Sequence, residues 1–266
     1  MFWTRLGSGI VLMVITIALM IVGGAPLFGV ITVISVMGLF ELYRAVGMQK
    51  SMPAILGYVT SVGVDILLAQ GKHEWLLMIL VLSLMLMMAC YVIAYPKYRS
   101  EQIVMVYFGL IYVSVMLSYV FQVRFLEGGV LLVWLIYVGA WGSDTCAYCV
   151  GKLIGKHKMP STLSPNKTIE GCVGGIAGAA LIGFLFALFC YRDNTMLWWE
   201  FAVIGAVSSV ISQIGDLAAS AIKRNHDIKD YGKLIPGHGG ILDRFDSIIF
   251  TAPVVYYLIT LFYSVR

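Results

Sequence analysis

A chain of 266 residues that is 60% hydrophobic and only 12% charged departs from soluble domains, in which about a quarter of residues carry charge. That composition excludes an ordinary water-soluble enzyme. The net charge of +4 is too small to suggest a nucleic-acid partner, and none is expected.

The apolar stretches predict an all-α, polytopic integral membrane protein, each span needing about 20 residues to cross ~30 Å of hydrocarbon. In chain order the predicted spans are 7–23, 26–43, 54–70, 75–95, 103–121, 129–150, 172–191, 198–220 and 245–264, nine in all. Gly23-Gly24-Ala25-Pro26 is the expected turn between the first two. A signal peptide competes for the start, because Arg5 precedes an apolar run. Cleavage after Ala25 would leave Pro26 at the new N-terminus, which is unfavourable, so the segment is read as a span. Five cysteines (Cys90, Cys146, Cys149, Cys172 and Cys190) lie in or beside apolar runs. They are expected as small packing residues rather than a disulfide framework.

The first five spans carry few internal polar residues, and residues 1–125 read as a transmembrane scaffold. Glu41 and Arg44 stand three apart and are expected to pair. Asp65 is a lone carboxylate expected at the interface. Residues 126–266 read as the catalytic part, with about four helices and active-site loops. Span six ends in "WGSDTCAYCVGKLIGKHK", where Asp144, Tyr148 and Lys152 fall on one helix face. Ser164 and Pro165 then suit an N-cap and a first helical position. Lys167 and Thr168 would lie beside that anion-attracting helix start. The plain alternative is an ordinary basic loop.

Span eight carries Ser209, Ser212, Gln213, Asp216, Ser220 and Lys223 at spacings of three and four. This polar stripe must face protein or water rather than lipid. Helix packing explains the serines but not Asp216. Next comes "KLIPGHGGILDRFDS", with four glycines and prolines that force a loop. Span nine then starts with Asp243 and Asp246. Capping of the helix explains one of these acids better than both.

Lysine and arginine set the orientation. With nine spans, fourteen of the 18 basic residues fall on one side, leaving only Lys72, Arg124, Arg192 and Arg266 on the other. The N-terminus is therefore expected in the cytoplasm and the C-terminus outside. Asp144, Asp216, Asp243 and Asp246 then share the cytoplasmic face with Lys167, Lys223, Arg224, Lys229 and Arg244. Carboxylates beside abundant cations suggest a site for Mg²⁺ and phosphate.

The run from Ser220 to Asp246, "SAIKRNHDIKDYGKLIPGHGGILDRFD", resembles the signature of the phosphatidate cytidylyltransferases, or CDP-diacylglycerol synthases. The resemblance rests on Ser220, Lys223-Arg224, Lys229-Asp230, Gly232, Pro236, His238-Gly239-Gly240, Asp243-Arg244 and Asp246. The upstream segment resembles the family's second conserved region at Asp144, Ala147-Tyr148, Gly151, Gly155, Ser164-Pro165, Lys167-Thr168 and Glu170-Gly171. Asn166 stands where the family often has another residue. The likeness covers roughly residues 140–250.

What the resemblance implies is the reaction of CTP with phosphatidate to give CDP-diacylglycerol and pyrophosphate, with Mg²⁺ alone or beside a second cation. Asp243 and Asp246, then Asp216, are the expected metal ligands. Lys223, Arg224, Lys229 and Arg244 are expected on phosphates, with Ser220 in the substrate site. His238 would donate to a phosphate oxygen, and Gly239 and Gly240 would offer backbone N–H groups. Asp144, Lys167 and Thr168 are expected to contact the nucleotide or the metal. A homodimer in the cell membrane, its active site facing the cytoplasm, completes the expectation. A cytidylyltransferase acting on archaeal ether lipids is the near alternative. An ion-coupled transporter is the distant one, because it should show midplane carboxylates and an internal repeat.

Overall fold

The computed structural model describes the chain except residues 1, 160–162, 166, 193, 233, 235–238 and 265–266. Among the described residues the chain is helical, with an antiparallel bridge between Lys158 and Thr168. The helices are α1 (Phe2–Val22), α2 (Gly24–Ala45), α3 (Met52–Ala69), α4 (His73–Ile93), α5 (Ser100–Phe125), α6 (Gly129–Ile154), α7 (Ile169–Cys190), α8 (Thr195–Asn225) and α9 (Leu242–Ser264). Eight of them, α2 to α9, are long and apolar enough to cross a membrane, where the sequence predicted nine spans. The difference is α1, whose apolar stretch among the described residues is the shorter Gly9–Val22. The chain is a multi-pass membrane protein.

By packing, the chain falls into two compact units, residues 1–122 with 225–245, and residues 123–224 with 246–266. In the first unit, Gly23 and Gly24 both take positive φ (62° and 55°) between α1 and α2, a conformation that glycine adopts without steric cost. Ser51 caps α3, accepting from the N–H of Ala54 at 3.3 Å, and Pro53 occupies its first turn. Leu39, Leu42 and Tyr43 of α2 are fully buried. The Tyr43 hydroxyl donates to the Val106 carbonyl at 2.8 Å, so a phenol inside the unit is satisfied. The buried face of α3 runs Gly57, Thr60, Ser61, Val64, Asp65, Leu68, a 3.6-residue stripe. Ser61 reaches Ser114 at 2.7 Å, within a π-helical turn of α5 at Leu110–Val115.

Asp65 belongs to that buried stripe and has no exposed surface. It is therefore not the interfacial residue expected, because the face of α3 that carries it is the one covered by neighbouring helices. In contrast, α4 is the most apolar and least buried of the spans, as befits a helix surrounded by lipid.

The second unit is built on close backbone approach. The buried positions of α7 are Gly171, Gly175, Ala179, Gly183 and Ala187. Small residues at every fourth position let two membrane helices come into backbone contact. A side chain at Gly175 would press on the Ser143 carbonyl of α6, and one at Gly183 would overlap the Phe201 carbonyl of α8. Ser209 and Ser212 of α8 are fully buried, and Ser209 meets Ser143 at 2.6 Å. The polar stripe of α8 thus faces protein, as its spacing required. All five cysteines are free thiols, and Cys146 packs where Gly178 leaves room for it.

Candidate functional site

Within the first unit, polar groups concentrate on the 225–245 segment. Its Asp227 takes a positive φ of 54° and Gly239 one of 87°. The segment's two ends are tied together by Asp243, whose Oδ2 accepts from the N–H of Tyr231 at 2.8 Å and of Gly240 at 3.0 Å. The Gly240 N–H, expected on a phosphate, is given to the Asp243 carboxylate in this structure.

Two side chains of α2 grip the same segment. Glu41 accepts from the N–H of Ile241 at 3.1 Å and of Leu242 at 2.9 Å. Those are donors at the start of α9 that have no partner within the helix. The helix start is thus capped by Glu41, 200 residues away in the chain, and not by Asp246. Arg44 donates through Nη2 to the Tyr231 carbonyl at 2.5 Å. The expected Glu41–Arg44 pair is not made, since each is drawn to a backbone partner in the 225–245 segment. A cavity of about 490 Å³ opens beside them, lined by Arg44, Lys229, Asp230, Tyr231 and Gly232 among others. Lys229 is exposed, and so is Arg244. His238 lies outside the described residues.

Within the second unit, Lys167 Nζ meets Asp216 Oδ2 at 2.5 Å. This joins residues 49 positions apart. Both side chains remain about 30% exposed (27% and 32%), so the pair is open to a ligand. Asp144, exposed on α6, lies within electrostatic reach of both. Local structure sets Lys167 in place: Met159 N–H donates to its carbonyl at 2.9 Å, and Ile169 N–H donates to the His157 carbonyl at 2.9 Å. The His157 ring meets Glu170 at 2.6 Å.

At Ser164-Pro165, where a helix start was expected, the Lys167 N–H instead donates back to the Ser164 carbonyl at 3.2 Å. The helix begins instead at Ile169, capped by Thr168, whose Oγ1 accepts from Gly171 N–H at 3.1 Å. Thr168, expected to touch the nucleotide, spends one acceptor lone pair on the cap and keeps its O–H as a donor. Gln213 donates to the Cys172 carbonyl at 3.1 Å, which ties α8 to α7 beside Asp216. Ser220 and Lys223 are half-buried, and Arg224 is exposed at the end of α8, where basic groups also suit the helix dipole. Asp246 is buried at 8% exposure and accepts from the N–H of Ser247 at 2.7 Å.

Among the described residues, no group of three or more His, Cys, Asp or Glu side chains is close enough to hold a metal ion unaided. Mg²⁺ commonly takes only one or two carboxylates and completes its shell with water and substrate phosphates, so a smaller donor set is enough for it. The partly exposed Asp216 carboxylate, with Asp144 near it, is a hard-oxygen donor set of that kind.

The profile of the cytidylyltransferase family matches residues 3–262. The chain belongs to that family. Phosphatidate cytidylyltransferase from Bacillus subtilis is 32% identical to it over 97% of both chains. The enzymes of the same name from Staphylococcus epidermidis and Staphylococcus saprophyticus are 31% and 29% identical, over 93% of this chain and 95% of theirs. The likeness runs through both units, well beyond the two motifs that suggested it.

As a cytidylyltransferase the chain is a nucleotidyltransferase, and transport is not its assigned chemistry. Sequence reasoning missed Glu41 and Arg44 as the side chains that hold the 225–245 segment. Their only signal was two charges at the end of an apolar span, which local spacing explains as a pair.

Proposed function

We propose that this cytidylyltransferase transfers the cytidylyl group of CTP to phosphatidate, releasing pyrophosphate and leaving CDP-diacylglycerol in the membrane. The observation that carries this reading is the likeness, over 97% of both chains, to a phosphatidate cytidylyltransferase. A phosphate oxygen of the lipid attacks the α-phosphorus of CTP, and the bond from that phosphorus to the β-phosphate oxygen breaks. The attacking monoester, with a second pKa of about 6, is already largely ionised at neutral pH, so no strong general base is needed. The difficulty lies in bringing two polyanions together, and fixed cations address it.

In the second unit, Lys167 is held by Asp216 at the surface and offers its charge to a phosphate. In the first unit, Lys229 and Arg44 do the same from the wall of their cavity, with Arg244 exposed nearby in sequence. Lys223 and Arg224 add charge at the end of α8. Asp243, Asp246 and Asp216 are the carboxylates proposed for Mg²⁺, with Asp144 close to Asp216. When bound, Mg²⁺ neutralises charge on the phosphates and the departing pyrophosphate.

The reading further places the protein in the cell membrane as a homodimer with its active site on the cytoplasmic side. Its test is incubation of purified protein with radiolabelled CTP, dispersed phosphatidate and Mg²⁺. A CDP-lipid product is expected from CTP or dCTP and not from ATP or GTP. Equal turnover with ATP rejects cytidylyl transfer. Preference for an archaeal ether-lipid phosphate in competition moves the substrate assignment to that lipid.

A further inference from the structure

We infer that Glu41 is a positioning residue for the transfer reaction, holding Gly232 and Gly240–Leu242 together from α2. The inference rests on the proposed function for the reaction it serves, but the hold itself is read from geometry. Glu41 is only 5% exposed, and a carboxylate that deep in a protein needs strong partners. It has them in the N–H groups of Ile241 and Leu242. Two further residues fit around it. A Cβ at Gly232 or at Gly240 would overlap the Glu41 carboxylate, so both glycines close on that one group. Glutamate at 41 and glycine at 232 and 240 are three features of the sequence explained by a single contact.

The neighbouring restraints act in the same sense. Arg44, three residues further along α2, holds the Tyr231 carbonyl, and Asp243 joins Tyr231 to Gly240 from within the segment. Between these anchors lie the cavity wall formed by Lys229 to Gly232 and the turn at Gly239. Displacement of the anchors moves the groups proposed to meet phosphate, and small displacements of such groups cost rate steeply.

The experiment compares wild type with Glu41→Gln. Glutamine keeps the size, but its amide presents one oxygen where two N–H donors converge, and its NH₂ group faces a donor. Amide hydrogen exchange at Ile241 and Leu242 is expected to speed up by about tenfold or more, the charge-assisted bonds being lost. CDP-lipid formation per folded molecule is expected to fall by on the order of tenfold or more in kcat/KM, with the unfolding temperature of the detergent-solubilised protein lowered as one buried N–H loses its acceptor. Glu101→Gln, a surface substitution on α5, is the control and should match wild type in both. If Glu41→Gln fails to fold, Gly232→Ala presses on the same carboxylate from the other side and should give both effects in milder form. Faster exchange with undiminished kcat/KM overturns the positioning role. Unchanged exchange overturns the hold itself. If wild type makes no CDP-lipid, the proposed function fails, and the exchange measurement still decides whether Glu41 fixes the segment.

Discussion

Asp243 shows how one carboxylate can be asked to do two things. Its Oδ2 takes two backbone N–H groups, which is a structural duty, and the family resemblance implies a second duty toward the metal. The two separate under substitution. Asparagine retains an oxygen for the Tyr231 and Gly240 donors, so Asp243→Asn is expected to fold and insert normally. Removal of the negative charge is expected to lower turnover by on the order of 10²-fold, as for loss of a key electrostatic group. Asp243→Ala leaves both buried N–H groups without an acceptor, at about 1–3 kcal/mol each, and is expected to unfold at a lower temperature as well. The measurement is turnover and thermal unfolding of each purified variant across a Mg²⁺ titration. Near-normal turnover in Asp243→Asn confines the residue to holding the loop.

The helices show which relations a sequence carries and which it does not. The serine stripe of α8 was legible because burial repeats every three or four residues, and Ser209 and Ser212 are indeed enclosed. The start of α7 was not. Ser164-Pro165 has the right local chemistry, but Lys167 bonds back to Ser164 and residues 157–159 pair with 167–169, so the helix starts only after Thr168. Glu41 and Arg44 were misread for the same reason: spacing of three suggests a pair, while their partners lie at Tyr231, Ile241 and Leu242. Nothing local in the sequence announces partners that far along the chain. The glycine face of α7 yields a prediction at this scale. A Cβ at Gly183 overlaps the backbone carbonyl of Phe201, which cannot rotate away as a side chain can. Gly183→Val is expected to cost about 1–3 kcal/mol through overpacking and to lower the unfolding temperature in detergent. Leu181→Val, on the exposed side of the same helix, should leave it within error of wild type. Equal stability in the two variants would mean that α7 and α8 are not in backbone contact.

At the scale of the whole molecule, composition alone announced a membrane protein, and eight long apolar helices answer to it. Orientation is carried instead by charge. Cytoplasmic loops retain lysine and arginine because basic segments translocate poorly, and the 18 basic residues divide fourteen to four if α1 crosses the membrane and thirteen to five, with Arg5 changing sides, if only α2 to α9 do. The loop between α6 and α7 carries Lys156, Lys158 and Lys167, whereas the α7–α8 loop carries Arg192 alone. These two loops bracket one span, so they must face opposite sides. Cysteines introduced as Lys156→Cys and Arg192→Cys, in a chain otherwise free of cysteine, report their exposure to a membrane-impermeant maleimide. In intact spheroplasts the cysteine at 192 is expected to react and the one at 156 to stay unlabelled until the membrane is permeabilised. The proposed function depends on this outcome, because CTP is in the cytoplasm and Lys167 sits on the same loop as Lys156. The reverse labelling pattern would put Lys167 and Asp216 out of reach of the nucleotide and would leave the proposed reaction without its substrate.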